Sequence, residues 1–401
     1  MGPKKLYGIE TELVINRSND QYNSSVPPLY QSATFKQPSL TDMGEYDYTR
    51  SGNPTRTHLQ NQLARIMRAD FAFAVTSGMG CLDVILKLLK PGDKVLAGDD
   101  LYGGTHRLLT YMNNKGDLRV EHWDTANTEL FLSKITPDTK MIFLESPTNP
   151  LIKVCDVKTI ADYAHKINPD LVVVFDNTMM SPVLMTPLEL GVDLQYESAT
   201  KYLNGHHDIM AGVIATRDER LAERVFFVIN STGCGLTPFD CWLLCRGLRT
   251  LAVRVERQQL NCYKLANFLQ KMGFRVRYPG LASHPQYRLH NSVCRGAGAV
   301  LSFETGSVAV SEKIVENTDI FGIAVSFGCV NSLISMPCRM SHASIDEKTR
   351  KERDFPEDLI RLCIGIEDAN DLIEDLAGAI ARSGVKLKAL DASSISLQPK
   401  F

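Results

Sequence analysis

Ten cysteines are scattered along the 401 residues, and no two of them form a CxxC pair. In a chain of this size that spacing argues against a disulfide frame, so reduced thiols in a reducing, cytoplasmic compartment are expected. An excess of charge is missing too. The formal net charge of −2 leaves no basic footprint for nucleic acid. No apolar run approaches the roughly 18 residues of a membrane span, and no apolar signal core follows the two lysines of Met1 to Tyr7. The terminal Gln398-Pro399-Lys400-Phe401 matches no retention or peroxisomal address. There is no GxGxxG, which leaves a dinucleotide-binding dehydrogenase with little support. Internal repeats are also absent.

What is present is ordinary globular composition, 44 % apolar and 22 % charged, in a chain too long for one compact core. We read residues 1–55 as an arm, 56–245 as a first domain and 246–401 as a second. The arm holds Pro27-Pro28 and many Asn, Ser and Gln, with little helical period. A helix follows Asn53-Pro54-Thr55, with Leu59, Leu63, Ile66 and Met67 spaced for one face. From Phe71 to Thr216 short apolar runs alternate with helical segments: Phe71–Val75, Lys94–Ala97, Leu118–His122, Met141–Leu144, Leu171–Phe175 and Ile209–Ala215 are expected strands. That alternation predicts a mostly parallel sheet covered on both faces. Trp242 to Met272 reads as one long helix, with Leu248, Leu251, Val255, Cys262, Leu265 and Leu269 near one face. Ala299–Phe303 and Leu359–Cys363 read as strands, Ala369–Arg382 as a helix ending at Gly384, and the tail beyond Lys388 as frayed. Cys241 and Cys245 share a helical face; two metal ligands are conceivable there, core packing is favoured.

Chemistry concentrates at a few points. Lys201 lies in Ser198-Ala199-Thr200-Lys201-Tyr202, about 25 residues after Asp176, which ends an apolar strand. Alone, Asp176 reads as a helix N-cap. Ser77-Gly78-Met79-Gly80 lies between a strand and a helix, where backbone N–H groups and the helix dipole would face an anion; alone it is a tight turn. A lysine, a buried carboxylate and small hydroxyls beside a phosphate cup are what a covalently carried pyridoxal phosphate requires. Arg361, inside the apolar strand Leu359–Cys363, must meet an anion.

These segments also resemble a known family. Ser198 to Tyr202 is similar to the lysine signature of the Cys/Met-metabolism enzymes that use pyridoxal phosphate, the trans-sulfuration enzymes. Tyr46 to Thr55 resembles their YxR…GNPT motif and Glu145-Ser146-Pro147-Thr148-Asn149-Pro150 their E(S/T)PTNP turn. The likeness runs from about Val26 to Leu376. It implies an α/β, aspartate-aminotransferase-like fold of fold type I with a smaller C-terminal α/β domain, and pyridoxal 5'-phosphate as cofactor. The implied roles are catalysis by Lys201 as general base and by Tyr102, which stacks on the ring. Cofactor contacts are implied for Asp176, Gly78, Met79, Ser198 and Thr200. Tyr48 and Arg50 would reach the phosphate of a neighbouring subunit, implying an oligomer, a tetramer built from dimers, contacted by the arm. Arg361 and Asn149 would take the substrate carboxylate of a small amino acid, with Ser326 and Val325 nearby. No metal is implied: His206-His207-Asp208 matches a loop after the lysine. The chain departs from the pattern at His207, where Ser or Thr is usual, and at Glu197, where His or Tyr often stands. Methionine γ-lyases usually carry Cys where Gly104 stands. Val325 replaces the Glu of γ-lyases and γ-synthases, although it could also simply pack a strand. Ser332 to Cys338 and Met340 to Ser344 look most like the plant-type cystathionine β-lyase branch. β-Elimination of cystathionine in methionine biosynthesis is therefore expected first. A γ-lyase, a γ-synthase or a cysteine-conjugate lyase comes second, and an inactive scaffold that only binds comes third.

Overall fold

The computed structural model describes residues 6–18, 20–340 and 355–384. The frayed-tail expectation and Ser341 to Ser344 lie outside them. Seven strands form the first sheet: β1 (Phe71–Val75), β2 (Asp93–Gly98), β3 (Leu118–Trp123), β4 (Thr139–Glu145), β5 (Val172–Asp176), β6 (Leu194–Glu197) and β7 (Gly212–Thr216). Their order is β1-β7-β6-β5-β4-β2-β3. β7 runs antiparallel to both its neighbours and the other pairs are parallel. Period-two alternation explains the layering. Leu96, Ile142, Leu144, Val173 and Phe175 join one buried cluster, and Val95, Ala97, Met141, Phe143 and Val174 join the other. Both faces are therefore dry, as a parallel sheet demands.

A second sheet holds β8 (Arg275–Arg277), β9 (Val300–Glu304), β10 (Gly322–Ile323), β11 (Leu333–Ser335) and β12 (Leu359–Cys363), in the order β10-β11-β12-β9-β8. Helix Ala369–Arg382 buries Leu372, Leu376, Ala379 and Ile380 on one stripe. Each large side chain there is worth about 1.5–3 kcal/mol of burial. Among the described residues no helix is long and apolar enough to cross a membrane.

Two expectations need correction, and one strand was not expected. The arm is not wholly extended: Ile9–Val14 is a helix. It is anchored by Glu12, fully buried, which pairs with Arg17 and with Arg65 at 2.9 Å each. A six-residue helix is marginal alone and is held by such tertiary contacts, which no local period announces. The single helix from Trp242 to Met272 is two, Pro238–Leu248 and Leu251–Lys271. They break where Arg254 Nη2 takes the carbonyl of Gly247 at 2.9 Å. Strand β6, four residues with Gln and Glu in it, went unread because it has almost no apolar run.

Candidate active site

Parallel register sets the site's floor. Glu145 pairs with Asp176 across β4 and β5, and Asp176 with Tyr196 across β5 and β6. All three sit at the carboxyl ends of their strands, the edge where open α/β sheets place ligands. They line a cavity of about 180 Å³ together with Ser77, Gly78, Met79, Tyr102, Asn149, Ser198, Thr200, Lys201 and Val325.

The phosphate end is built by helix Gly78–Leu86. Ser77 caps it, its Oγ accepting from Gly80 N at 2.9 Å, so the predicted turn is already the first helical turn. N–H groups of a first turn lack intrahelical acceptors. A Cβ on Gly78 would lie 2.8 Å from the Cβ of Ser198, so only glycine lets this turn approach the lysine segment. Ser198 N donates to Thr178 Oγ1 at 2.9 Å. The Thr200 hydroxyl is engaged with Ala211, donating to its carbonyl at 3.3 Å.

Asp176 is buried at the cavity floor. Its Oδ1 accepts from Thr178 N at 2.9 Å and Thr178 Oγ1 at 2.5 Å. Burial raises its carboxyl above the ordinary range, with Thr178 and Tyr196 pulling it back. Glu145 is raised further, by burial and then by the charge of Asp176. A cation entering between them would relieve both.

Lys201 Nζ donates to Ser326 Oγ at 2.7 Å. Burial lowers the pKa of its ammonium, and the guanidinium of Arg361 lowers it further, which favours a neutral amine. Arg361 is 1 % exposed. It donates through Nη1 to Asn149 Oδ1 at 3.2 Å and through Nη2 to Ser326 O at 2.9 Å. Its Nε is buried without an acceptor, and among the described residues no carboxylate pairs with it. Val325 is 55 % exposed on the cavity wall, not packed into a strand.

Tyr48 and Arg50 are not brought to this cavity. They lie exposed, with Arg50 Nε donating to Asn230 Oδ1 at 3.4 Å and its guanidinium 5.4 Å from the Tyr48 ring centre. His207 is exposed in the left-handed region, φ 56. Glu197 points behind the site, where its Oε1 accepts from Asn177 at 2.9 Å and Gln195 at 2.8 Å. Burial pushes its carboxyl up to about 8. Cys241 and Cys245 are buried in the core. Among the described residues no group of three or more His, Cys, Asp or Glu could hold a metal ion. Glu145, Tyr196, Thr105, Thr178 and Phe327 line the cavity but were not singled out from sequence. Only Glu145 carried a signal there, as a carboxylate ending an apolar strand like Asp176.

A helix N-terminus closed to any Cβ, a buried carboxylate under the cavity and a buried amine beside it suit pyridoxal phosphate, its phosphate, pyridine nitrogen and aldehyde respectively. With the α/β sheet, this site defines a pyridoxal-phosphate-dependent enzyme of fold type I acting on a small amino acid. The chain belongs to the Cys/Met metabolism PLP-dependent enzyme family, which it matches over residues 10–381. It is 62 % identical over 385 residues to the cystathionine beta-lyase of Neurospora crassa, covering 96 % of this chain and 84 % of that one. It is 50 % identical over 382 residues to the cystathionine beta-lyase of Schizosaccharomyces pombe, covering 95 % and 98 %. Among solved structures, cystathionine gamma synthase from Xanthomonas oryzae pv. oryzae in complex with cystathionine superposes with a TM-score of 0.90 at 35 % identity, over 95 % of this chain and 99 % of that chain.

Proposed function

We propose that this protein is a carbon–sulfur lyase that cleaves L-cystathionine by β-elimination, consuming water and yielding homocysteine, pyruvate and ammonia in methionine biosynthesis. Bound pyridoxal phosphate supplies the electron sink for negative charge at the substrate Cα. Lys201 carries the cofactor, and its amine, oriented by Ser326 Oγ, takes the Cα proton. Asp176 holds a proton on the pyridine nitrogen. The turn at Ser77, Gly78 and Met79 takes the phosphate with Ser198 and Thr200, and Tyr102 covers the ring face. Arg361 forks the substrate carboxylate beside Asn149. The Cβ–S bond then breaks and the thiolate leaves.

The observation that carries β over γ cleavage is Val325. It stands exposed on the cavity wall, where an acid would be needed to support a second proton removal at Cβ. Incubation with L-cystathionine tests it. Pyruvate with homocysteine supports the reading; 2-oxobutyrate with cysteine replaces it with γ-elimination, the activity named for a Dictyostelium discoideum relative 42 % identical over 380 residues.

The same reading makes residues 1–55 an arm toward a neighbouring subunit, 56–245 the cofactor domain and 246–401 the C-terminal domain. Tyr48 and Arg50 then complete the phosphate site of a partner in a dimer, two dimers forming a tetramer. Their exposure away from the cavity of their own chain supports this, as do the exposed Phe226, Phe227 and Phe239. Ten free cysteines suit the reducing cytoplasm.

A further inference from the structure

Glu145 is 4 % exposed, yet both its oxygens are occupied by main-chain donors. Oε2 accepts the N–H of Tyr102 at 2.9 Å and Oε1 the N–H of Asn149 at 3.1 Å. The two donors belong to different loops, one after β2 and one after β4. The first presents the Tyr102 ring to the cavity. The second presents Asn149, whose Oδ1 meets Arg361. Farther out the same loops are clasped separately: Asp100 Oδ2 accepts Leu151 N at 3.2 Å, and Lys153 Nζ lies 2.8 Å from Asp99. The loops therefore have an outer clasp that could hold them together without Glu145. A buried charge at the cavity wall is an expensive way to duplicate it.

We infer that Glu145 is a positioning residue that couples the ring face at Tyr102 to the carboxylate clamp of Asn149 and Arg361, so that cofactor and substrate are seated by one carboxylate. The inference rests on reading Arg361 as that clamp. Chemistry explains the residue type. Two N–H groups converge, so two acceptors are needed. Glutamine offers one acceptor and turns its own N–H₂ against the other donor. Aspartate is one methylene too short to span both. Protonation would leave one of the two donors a weaker hydroxyl acceptor, so the converging N–H groups favour the ionised form while burial and Asp176 oppose it.

The test compares Glu145→Gln and Glu145→Asp with wild-type holoenzyme, on whichever amino acid the wild type turns over. Three quantities are read: KM against kcat, the pyridoxal phosphate dissociation constant by absorbance titration, and the circular dichroism of the bound cofactor. One orphaned buried N–H is expected to raise KM about tenfold and to weaken cofactor binding by a similar factor in Glu145→Gln. The dichroism per bound cofactor should fall as the Tyr102 face loosens. KM, cofactor affinity and dichroism all within twofold of wild type would overturn the inference, even if thermal stability dropped. Should both variants fail to fold, amide exchange on the wild type decides. Peptides containing Tyr102 and Asn149 should gain protection together when pyridoxal phosphate is added to apoprotein; independent exchange overturns the coupling. A wild type that makes 2-oxobutyrate would revise the cleavage position and leave these readouts valid.

Discussion

Arg361→Met separates a substrate clamp from a structural ion pair, because the two readings predict opposite effects on stability. The guanidinium is 1 % exposed, with two neutral oxygen acceptors, a buried Nε–H that has none, and no carboxylate partner among the described residues. A cation so placed is under-compensated until an anion arrives. Two charge-assisted hydrogen bonds to a substrate carboxylate, each worth about 1.5–3 kcal/mol, give about 3–6 kcal/mol. Their loss should lower kcat/KM by roughly 10²–10⁴. Methionine keeps most of the apolar volume and removes the charge, so the apoprotein should be unchanged or more stable by about 1–4 kcal/mol. Pyruvate release with L-cystathionine gives kcat/KM, and urea unfolding of apoprotein at fixed concentration gives stability. A kcat/KM within threefold of wild type would refute the clamp. So would a stability loss of about 3–5 kcal/mol, the signature of a broken buried pair.

Val325→Glu should raise the share of 2-oxobutyrate made from L-cystathionine about tenfold, since one charged hydrogen bond is worth about 1.5–3 kcal/mol; an unchanged pyruvate share measured by chromatography counts against Val325 as the selector. Lys201→Ala should be inactive and lack the visible absorbance of the attached cofactor. Co-refolded with inactive Arg50→Ala it should regain activity if sites are shared between subunits; assembled mixtures that stay inactive contradict sharing. Glu197 has a folded pKa of about 8 against an ordinary 4.5. The folded state thus holds a proton that the unfolded state releases, and wild-type stability falls as pH rises from about 4.5 to about 8, levelling above. Glu197→Gln should flatten that slope in pH-dependent thermal unfolding; an unaltered slope assigns it elsewhere.

Features governed by local rules were legible in sequence. Lys201 and Asp176, which line the cavity, each sit in a short, chemically marked segment, and the helix Ala369–Arg382 has an apolar stripe of the right period. Tyr196 was not legible, and Glu145 only as a carboxylate ending an apolar strand, because their place beside Asp176 comes from register. Only pairing β4 with β5 and β5 with β6 sets these two beside Asp176, and pairing is a long-range property that neither segment encodes alone. β6 shows the cost most directly. Along it Tyr196 faces the cavity and Glu197 the amides of Asn177 and Gln195. Glu197, a departure from the family pattern, thus faces away from the cavity. The helix break after Leu248 was hidden for a related reason: the partner of Gly247 O is Arg254, in the next helix, reaching back to the turn after Lys201 through Tyr202 O at 2.8 Å.

The two sheets contribute different parts of the chemistry. Asp176 and Glu145 end strands of the larger sheet and Tyr196 stands one residue before the end of a third, while Lys201, Gly78 and Tyr102 lie on the connections lining the same cavity. Arg361 belongs to the smaller sheet, paired with Ser335 and Ser302, and Val325 follows its edge strand β10. At the cavity, side-chain bonds join the two, Lys201 to Ser326 and Asn149 to Arg361, and close by Ser302 Oγ donates to Pro150 O at 2.8 Å. On the proposed reading, cofactor seating and choice of bond fall to different parts of the chain. On that reading, substitutions in the exposed stretch around Val325 should change which carbon–sulfur bond is cut and leave the lysine, its carboxylate and its phosphate cup in place. That arrangement offers a physical reason why enzymes named for β-elimination, γ-elimination and γ-synthesis share one architecture at 35–62 % identity to this chain.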